Sequence, residues 1–146
     1  MSDYRIEFLH PLTIVNRWEE LLPHIERVVK VSNNEFTAES IKGRATSGNS
    51  VMIAVLDTHD RVVALTTAEV VIYDSGLRSL LIPIVCGDYF FDWAREWFEV
   101  VKALAVQLNC SELRGLSVRD GWMRVLKSHG WHENHVVITY QIEDSK

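Results

Sequence analysis

The sequence predicts an α/β fold, one mixed and mostly antiparallel β-sheet with helices on both faces. Three observations predict it. The 146 residues are 47% hydrophobic, enough for one sizeable core at about the length of a single domain. Runs of β-branched residues recur between clusters of turn-forming residues. A long helical stripe lies between two such runs, and strand, helix, strand in succession implies a parallel crossover beside the antiparallel strands. No internal repeat, low-complexity tract or Pro/Ser linker divides the chain, so residues 1–146 are expected to form one domain.

Arg5 to Leu9 is the first strand, with Ile6 and Phe8 alternating with charged residues until Pro11 stops it. A helix follows: Asn16 with Glu19 makes a capping box, and Trp18, Leu21, Leu22, Ile25, Val28 and Val29 share one face. Pro23 lacks the N–H that a helix interior needs, so the helix kinks there or begins its regular part near it. Thr37 caps a shorter helix that runs toward Gly43 or Gly48. Gly48-Asn49-Ser50 then turns the chain into an antiparallel pair, Val51 to Leu56 and Arg61 to Tyr73, joined by Asp57-Thr58-His59-Asp60. After the turn at Asp74-Ser75-Gly76, Arg78 to Cys86 is almost continuously apolar, as a central strand buried on both faces would be. Asp92 is placed to cap a long helix from Trp93 to Leu108, with Trp93, Trp97, Val100, Val101, Leu104 and Leu108 toward the core. Glu112 to Val118 reads as a strand, Gly121 to Ser128 as a short helix closed by Gly130, and Val136 to Ile142 as a last strand.

Composition excludes several classes. A net charge of −5, from 15 Lys+Arg against 20 Asp+Glu, disfavours a nucleic-acid or anionic-membrane binder, because both rely on a positive field. Cys86 and Cys110 have no second pair beside them, so neither a disulfide framework nor a four-cysteine zinc site can be drawn; two thiols in a reducing compartment is the expectation. No leader pattern opens the chain and its apolar runs are short, which points to a cytosolic protein. His129, His132 and His135 are spaced around a turn without an acidic partner in register, and no metal site is expected from them. Arg114, Arg119, Arg124 and Lys127 read as a solvated face.

The element order, with Arg119-Asp120-Gly121-Trp122-Met123-Arg124-Val125-Leu126-Lys127-Ser128-His129-Gly130-Trp131, resembles the GNAT (Gcn5-related N-acetyltransferase) superfamily, Gly130-Trp131 standing where Gly-Phe is common. Within it, the chain resembles small GNAT-like proteins of tailed bacteriophages through Trp18 to Pro23, Ala64 to Ala68, Asn109-Cys110 and Gly121 to Leu126. The resemblance spans about residues 12 to 142. It implies an acetyl-CoA site at an Arg/Gln-x-x-Gly-x-Gly/Ala stretch between the central strand and the long helix, where backbone amides hold the diphosphate. Here the positional equivalents are Val85, Cys86, Gly87 and Asp88, and Cys86 to Asp92 holds one Gly, two Asp and no Arg, Lys or Gln. Carboxylates repel a diphosphate and bulky residues hinder close backbone approach, so the site is expected to be degraded and no cofactor to be held.

The resemblance also implies a Tyr four residues before the terminal Gly as the acid that protonates the leaving thiolate; counting back from Gly130 gives Leu126, which donates no proton. Glu69, on a central strand, is the one candidate for a catalytic base, and a salt-bridged strand Glu is its structural alternative. Cys86 is expected to pack as a small apolar side chain. Tyr89, Phe90 and Phe91 cannot all point inward from a loop, and exposed rings flanked by acids suit a protein–protein contact. Two of them packing under the helix is the plainer alternative.

Three functions therefore stand open. The first, implied by the resemblance, is an accessory or virion-associated phage protein that binds other phage or host proteins in the host cytoplasm or within the virion. The second is an acyl-CoA-dependent N-acetyltransferase with an atypical loop, using acetyl-CoA. The third is a modulator of a host enzyme. None involves a membrane or nucleic acid.

Overall fold

The computed structural model describes residues 3–32, 35–115, 120–135 and 137–142. The chain runs β1 (Arg5–Leu9), α1 (Pro11–Asn16), α2 (Trp18–Val31), α3 (Ala38–Ser47), β2 (Val51–Leu56), β3 (Val62–Ile72), β4 (Arg78–Gly87), α4 (Phe90–Gln107), β5 (Glu112–Gly115) and α5 (Asp120–Ser128). The sheet order is β1-β2-β3-β4-β5. The first four strands pair antiparallel, and β5 pairs parallel to β4 after the α4 crossover. Strand alternation sends neighbouring residues to opposite faces. Met52, Ala54 and Leu56 meet Ile14, Leu21, Ile25 and Ile41 of α1–α3, while Ile53 and Val55 lie with Trp93, Trp97 and Val101 of α4. The expected α/β class, a mixed and mostly antiparallel sheet with helices on both faces, is the fold observed.

Several local expectations are corrected. Pro11 ends β1 by opening a helix: it is the first residue of α1, where its missing N–H costs nothing, and His10 Nδ1 accepts the Leu12 amide at 3.1 Å. Asn16 therefore closes α1 and caps nothing; α2 starts after Arg17, with no side-chain cap, and Pro23 lies inside it. Thr37 does cap α3, exchanging hydrogen bonds of 3.0 Å with Ser40, and the helix ends at Gly48 in the left-handed region. Asp92 does not cap α4. Tyr89 takes the capping position at φ 64°, so the helix starts at Phe90 and Asp92 lies in its first turn, where a negative charge suits the helix dipole. The strand expected over Glu112 to Val118 is seen over Glu112–Gly115, and residues 116–119 lie outside the described residues. The last strand, expected over Val136 to Ile142, is not seen among the described residues: 137–142 carry no strand there, and Val136 lies outside the described residues.

Candidate functional site

The site is set by an irregularity in β4. Thr67 pairs with Ile84 and Glu69 with Leu81, so Ala68 alone opposes Ile82 and Pro83, a bulge with the extra residue on β4. Pro83 has no N–H to give a neighbouring strand. Among the described residues the parallel ladder with β5 covers Ser79–Ile82 against Glu112–Gly115, and β4 runs on to Gly87. That Pro within an apolar strand pattern was the available sequence signal.

Beyond the ladder, β4 turns into α4 through Gly87, Asp88 and Tyr89. Gly87 has φ +128°, and a Cβ there would lie 2.4 Å from both the Ala64 Cα and the Val63 carbonyl oxygen. Its smallness serves packing on β3. The Asp88 amide donates to the Val63 carbonyl at 3.0 Å, and the Asp88 carbonyl accepts the Trp93 indole N–H at 2.7 Å. The Asp88 carboxylate meets the Arg27 guanidinium at 3.3 Å, a pairing across 61 positions that no local motif announces. Tyr89 stacks on Tyr4 with centroids 6.3 Å apart. Desolvation raises the Tyr4 phenol above its ordinary pKa, and the nearby Asp92 carboxylate and Tyr89 raise it further. At this junction the one glycine is pinned to β3, the Asp88 amide is bonded to Val63, and Arg27 is engaged by Asp88.

On the other side of the β4 chain lies an apolar cleft of about 20 Å³, the room of a single water, lined by Ile82, Val85, Phe90, Gly115, Leu126 and three tryptophans. Trp97 and Trp131 stack at 6.3 Å, and Phe90 stacks on Trp122 at 4.8 Å. The indole N–H groups of Trp97 and Trp131 are buried without an acceptor. Leu126, at the position where the resemblance implies an acid, is one more apolar wall.

Glu69 is half-buried on β3 and forms an ion pair with Arg44 of α3; it does not line the cleft. Val85 and Cys86 leave β4 on opposite sides, Val85 to the cleft and Cys86 into the aliphatic core at 1% exposure. Of the three adjacent aromatics, Phe90 is buried under α4 while Tyr89 and Phe91 are 60% and 75% exposed. These rings stand at the first turn of a helix, where a loop was expected. In the basic run Arg114 pairs with Glu112 and covers the Tyr73 ring at 4.6 Å, Arg124 is exposed, Lys127 pairs with Glu133 at 2.9 Å, and Arg119 lies outside the described residues. The Ser79 hydroxyl and then Arg114 hold the Glu112 carboxyl below the usual range. Among the described residues no group of three or more His, Cys, Asp or Glu is placed to hold a metal ion, and no helix is long and apolar enough to cross a membrane.

A five-stranded mixed sheet with a β4–α4–β5 crossover and a β4 bulge beside a cleft is the GNAT fold. Solved structures agree. The chain superimposes with a TM-score of 0.71 on an aminoglycoside acetyltransferase from an uncultured soil metagenomic sample, at 16% identity over 97% of each chain. It matches a mutant of the BH1408 protein of Bacillus halodurans with a TM-score of 0.72, at 12% identity over 95% of this chain and 99% of that one. A GNAT family acetyltransferase of Staphylococcus aureus matches with a TM-score of 0.67, at 11% identity over 97% of this chain and 100% of the other. At such identities the likeness is one of fold. No protein-family model matches the chain, and no curated protein matches it.

Proposed function

We propose that this chain keeps the GNAT scaffold without a working acetyl-CoA site and acts through its surface. The observation that carries this is the β4–α4 junction, where Gly87 is packed against Ala64 and the Asp88 amide is bonded to Val63. A phosphate cradle needs backbone amides free to turn toward the anion and a field that welcomes it. The β4–α4 junction instead carries Asp88 before and Asp92 after the exposed Tyr89 and Phe91, rings that suit a protein partner. The bacteriophage setting, with phage or host proteins as partners and the host cytoplasm or virion as location, rests on the sequence resemblance.

That structural neighbours are acetyltransferases favours a second reading, an N-acyltransferase that takes an amine and holds its donor in an unusual way. Calorimetry with acetyl-CoA separates the two. The expected result is no saturable binding. Tight binding that Asp88→Ala scarcely alters would overturn the first reading, because the junction would then be serving the donor despite its charge.

A further inference from the structure

The two exposed rings at the start of α4 do not share a surface. Helical periodicity turns Phe91 and Arg95 to one flank of α4 and Asp92 and Glu96 to the other. The second flank is the one beside β1: the Asp92 carboxylate acts on Tyr4, the residue before β1, and Tyr89 stacks on the same ring at 6.3 Å. Strand alternation sends Tyr4, Ile6 and Phe8 to the α4 side, where Tyr4 and Ile6 pack on its core while Leu9 joins the aliphatic one. Phe8, opposite Ile53 in the ladder, is 51% exposed.

The strand directions set the rest. β5 returns parallel to β4 after α4, so α4 runs against β4 and in the same direction as β1. From Asp92 to Glu96 the helix advances about 6 Å, and from Tyr4 to Ile6 the strand advances about 7 Å, which sets Glu96 level with Ile6. A seam results, with Tyr4, Ile6, Phe8 and Tyr89 as an apolar floor and acids as its wall. Besides desolvation, the groups that raise the Tyr4 phenol above its ordinary pKa are Asp92, Tyr89, Asp3 and Asp57, all of them acids. Arg5 alternates to the opposite face and is tied to Glu7 and Asp60.

This charge selects the occupant. A second copy of the chain would bring acid against acid, and a phosphate-bearing partner would meet the same repulsion. A cationic side chain suits both materials at once, since carboxylates attract it and ring faces hold it. We propose that the seam between β1 and the first two turns of α4 docks a basic segment of a partner protein, its lysine or arginine side chains lying among the Tyr4, Phe8 and Tyr89 rings and the Asp92 and Glu96 carboxylates. The proposal rests on the reading that this chain acts through its surface; it names the charge of the partner and leaves Phe91 outside the contact.

Fluorescence anisotropy with a labelled peptide of alternating arginine and glycine, and with its glutamate twin, tests it. Saturable binding of the arginine peptide alone is expected. Phe8→Thr with Tyr89→Gly, residues suited to a strand and to a positive φ, is expected to weaken it about tenfold with an unchanged circular dichroism spectrum. Asp92→Asn with Glu96→Gln should weaken it by a similar factor. Glu26→Gln with Glu39→Gln removes as much charge from exposed positions on α2 and α3, across the sheet, and should leave binding unchanged. Equal weakening by the two charge-removing pairs would overturn the seam in favour of diffuse attraction to an acidic protein, and so would an arginine peptide that does not bind. Calorimetry with acetyl-CoA keeps the two failures apart: no binding of either probe sinks the seam alone, whereas tight acetyl-CoA binding sinks the surface reading on which it rests.

Discussion

The two faces of the sheet are built from different materials. Under α1–α3 the core is aliphatic, with Ile14, Leu21 and Ile25 fully buried beside Met52 and Leu65. Under α4 and α5 it is aromatic, with Trp93 buried and Trp97, Trp122, Trp131 and Phe90 lining a cleft, and two of the indole N–H groups have no acceptor among the described residues. Branched aliphatic side chains interdigitate closely, whereas large flat rings tile a volume with gaps and carry a donor that must be placed. The face with the gap and the unpaired indole donors is the less completely filled of the two.

That contrast is broken or sharpened by substitution. The largest effect is expected from Leu21→Ala on the closed face, a loss of about 3 kcal/mol in urea unfolding, against about 1 kcal/mol for Leu126→Ala, whose side chain is half-buried against space already open. Equal losses would mean that the cleft is as tightly packed as the aliphatic core. Next, Trp93→Phe should cost about 1 kcal/mol more than Trp97→Phe. Both remove the same ring volume from fully buried positions, but only Trp93 loses a made hydrogen bond, that to the Asp88 carbonyl, while Trp97 sheds an unpaired donor. A reversed order would show that the Trp97 N–H has an acceptor in solution.

The smallest effect belongs to pH. Glu112 has its carboxyl pKa held down in the folded protein by the Ser79 hydroxyl and Arg114, so its stabilisation is complete above the unfolded carboxylate value of about 4.3 and is lost as pH falls through the lower folded value. Glu112→Gln should flatten the acid limb of the stability curve, measured by thermal unfolding between mildly acidic and strongly acidic buffers. An unchanged limb would detach this contact from the anchoring of β5 to β4.

The sheet was legible because its signals are local. The Asp57 to Asp60 and Asp74 to Gly76 turns sit between β-branched runs, and Asp57 Oδ1 accepts the His59 and Arg61 amides at 2.8 and 3.0 Å, as its residue type invites. α1 is not legible in the sequence because Pro11 reads as a strand terminator, while a proline also opens helices. The start of α4 was misplaced because a non-glycine residue at positive φ, Tyr89, has no composition signature. At the candidate site the lack of basic residues and the Leu126 substitution were visible in the sequence. The Arg27–Asp88 and Arg44–Glu69 pairs were not, since each joins distant elements through tertiary packing alone.

The extra residue in β4 has an outcome for sulfur chemistry. Before Pro83 the even-numbered side chains Leu80 and Ile82 turn to the tryptophans, and after it the even-numbered Ile84 and Cys86 turn the other way while Val85 takes their place. One inserted residue reverses parity for the rest of the strand. Without it, the Cys86 thiol would stand among the indoles; with it, the thiol packs among aliphatic neighbours on the far side of the sheet.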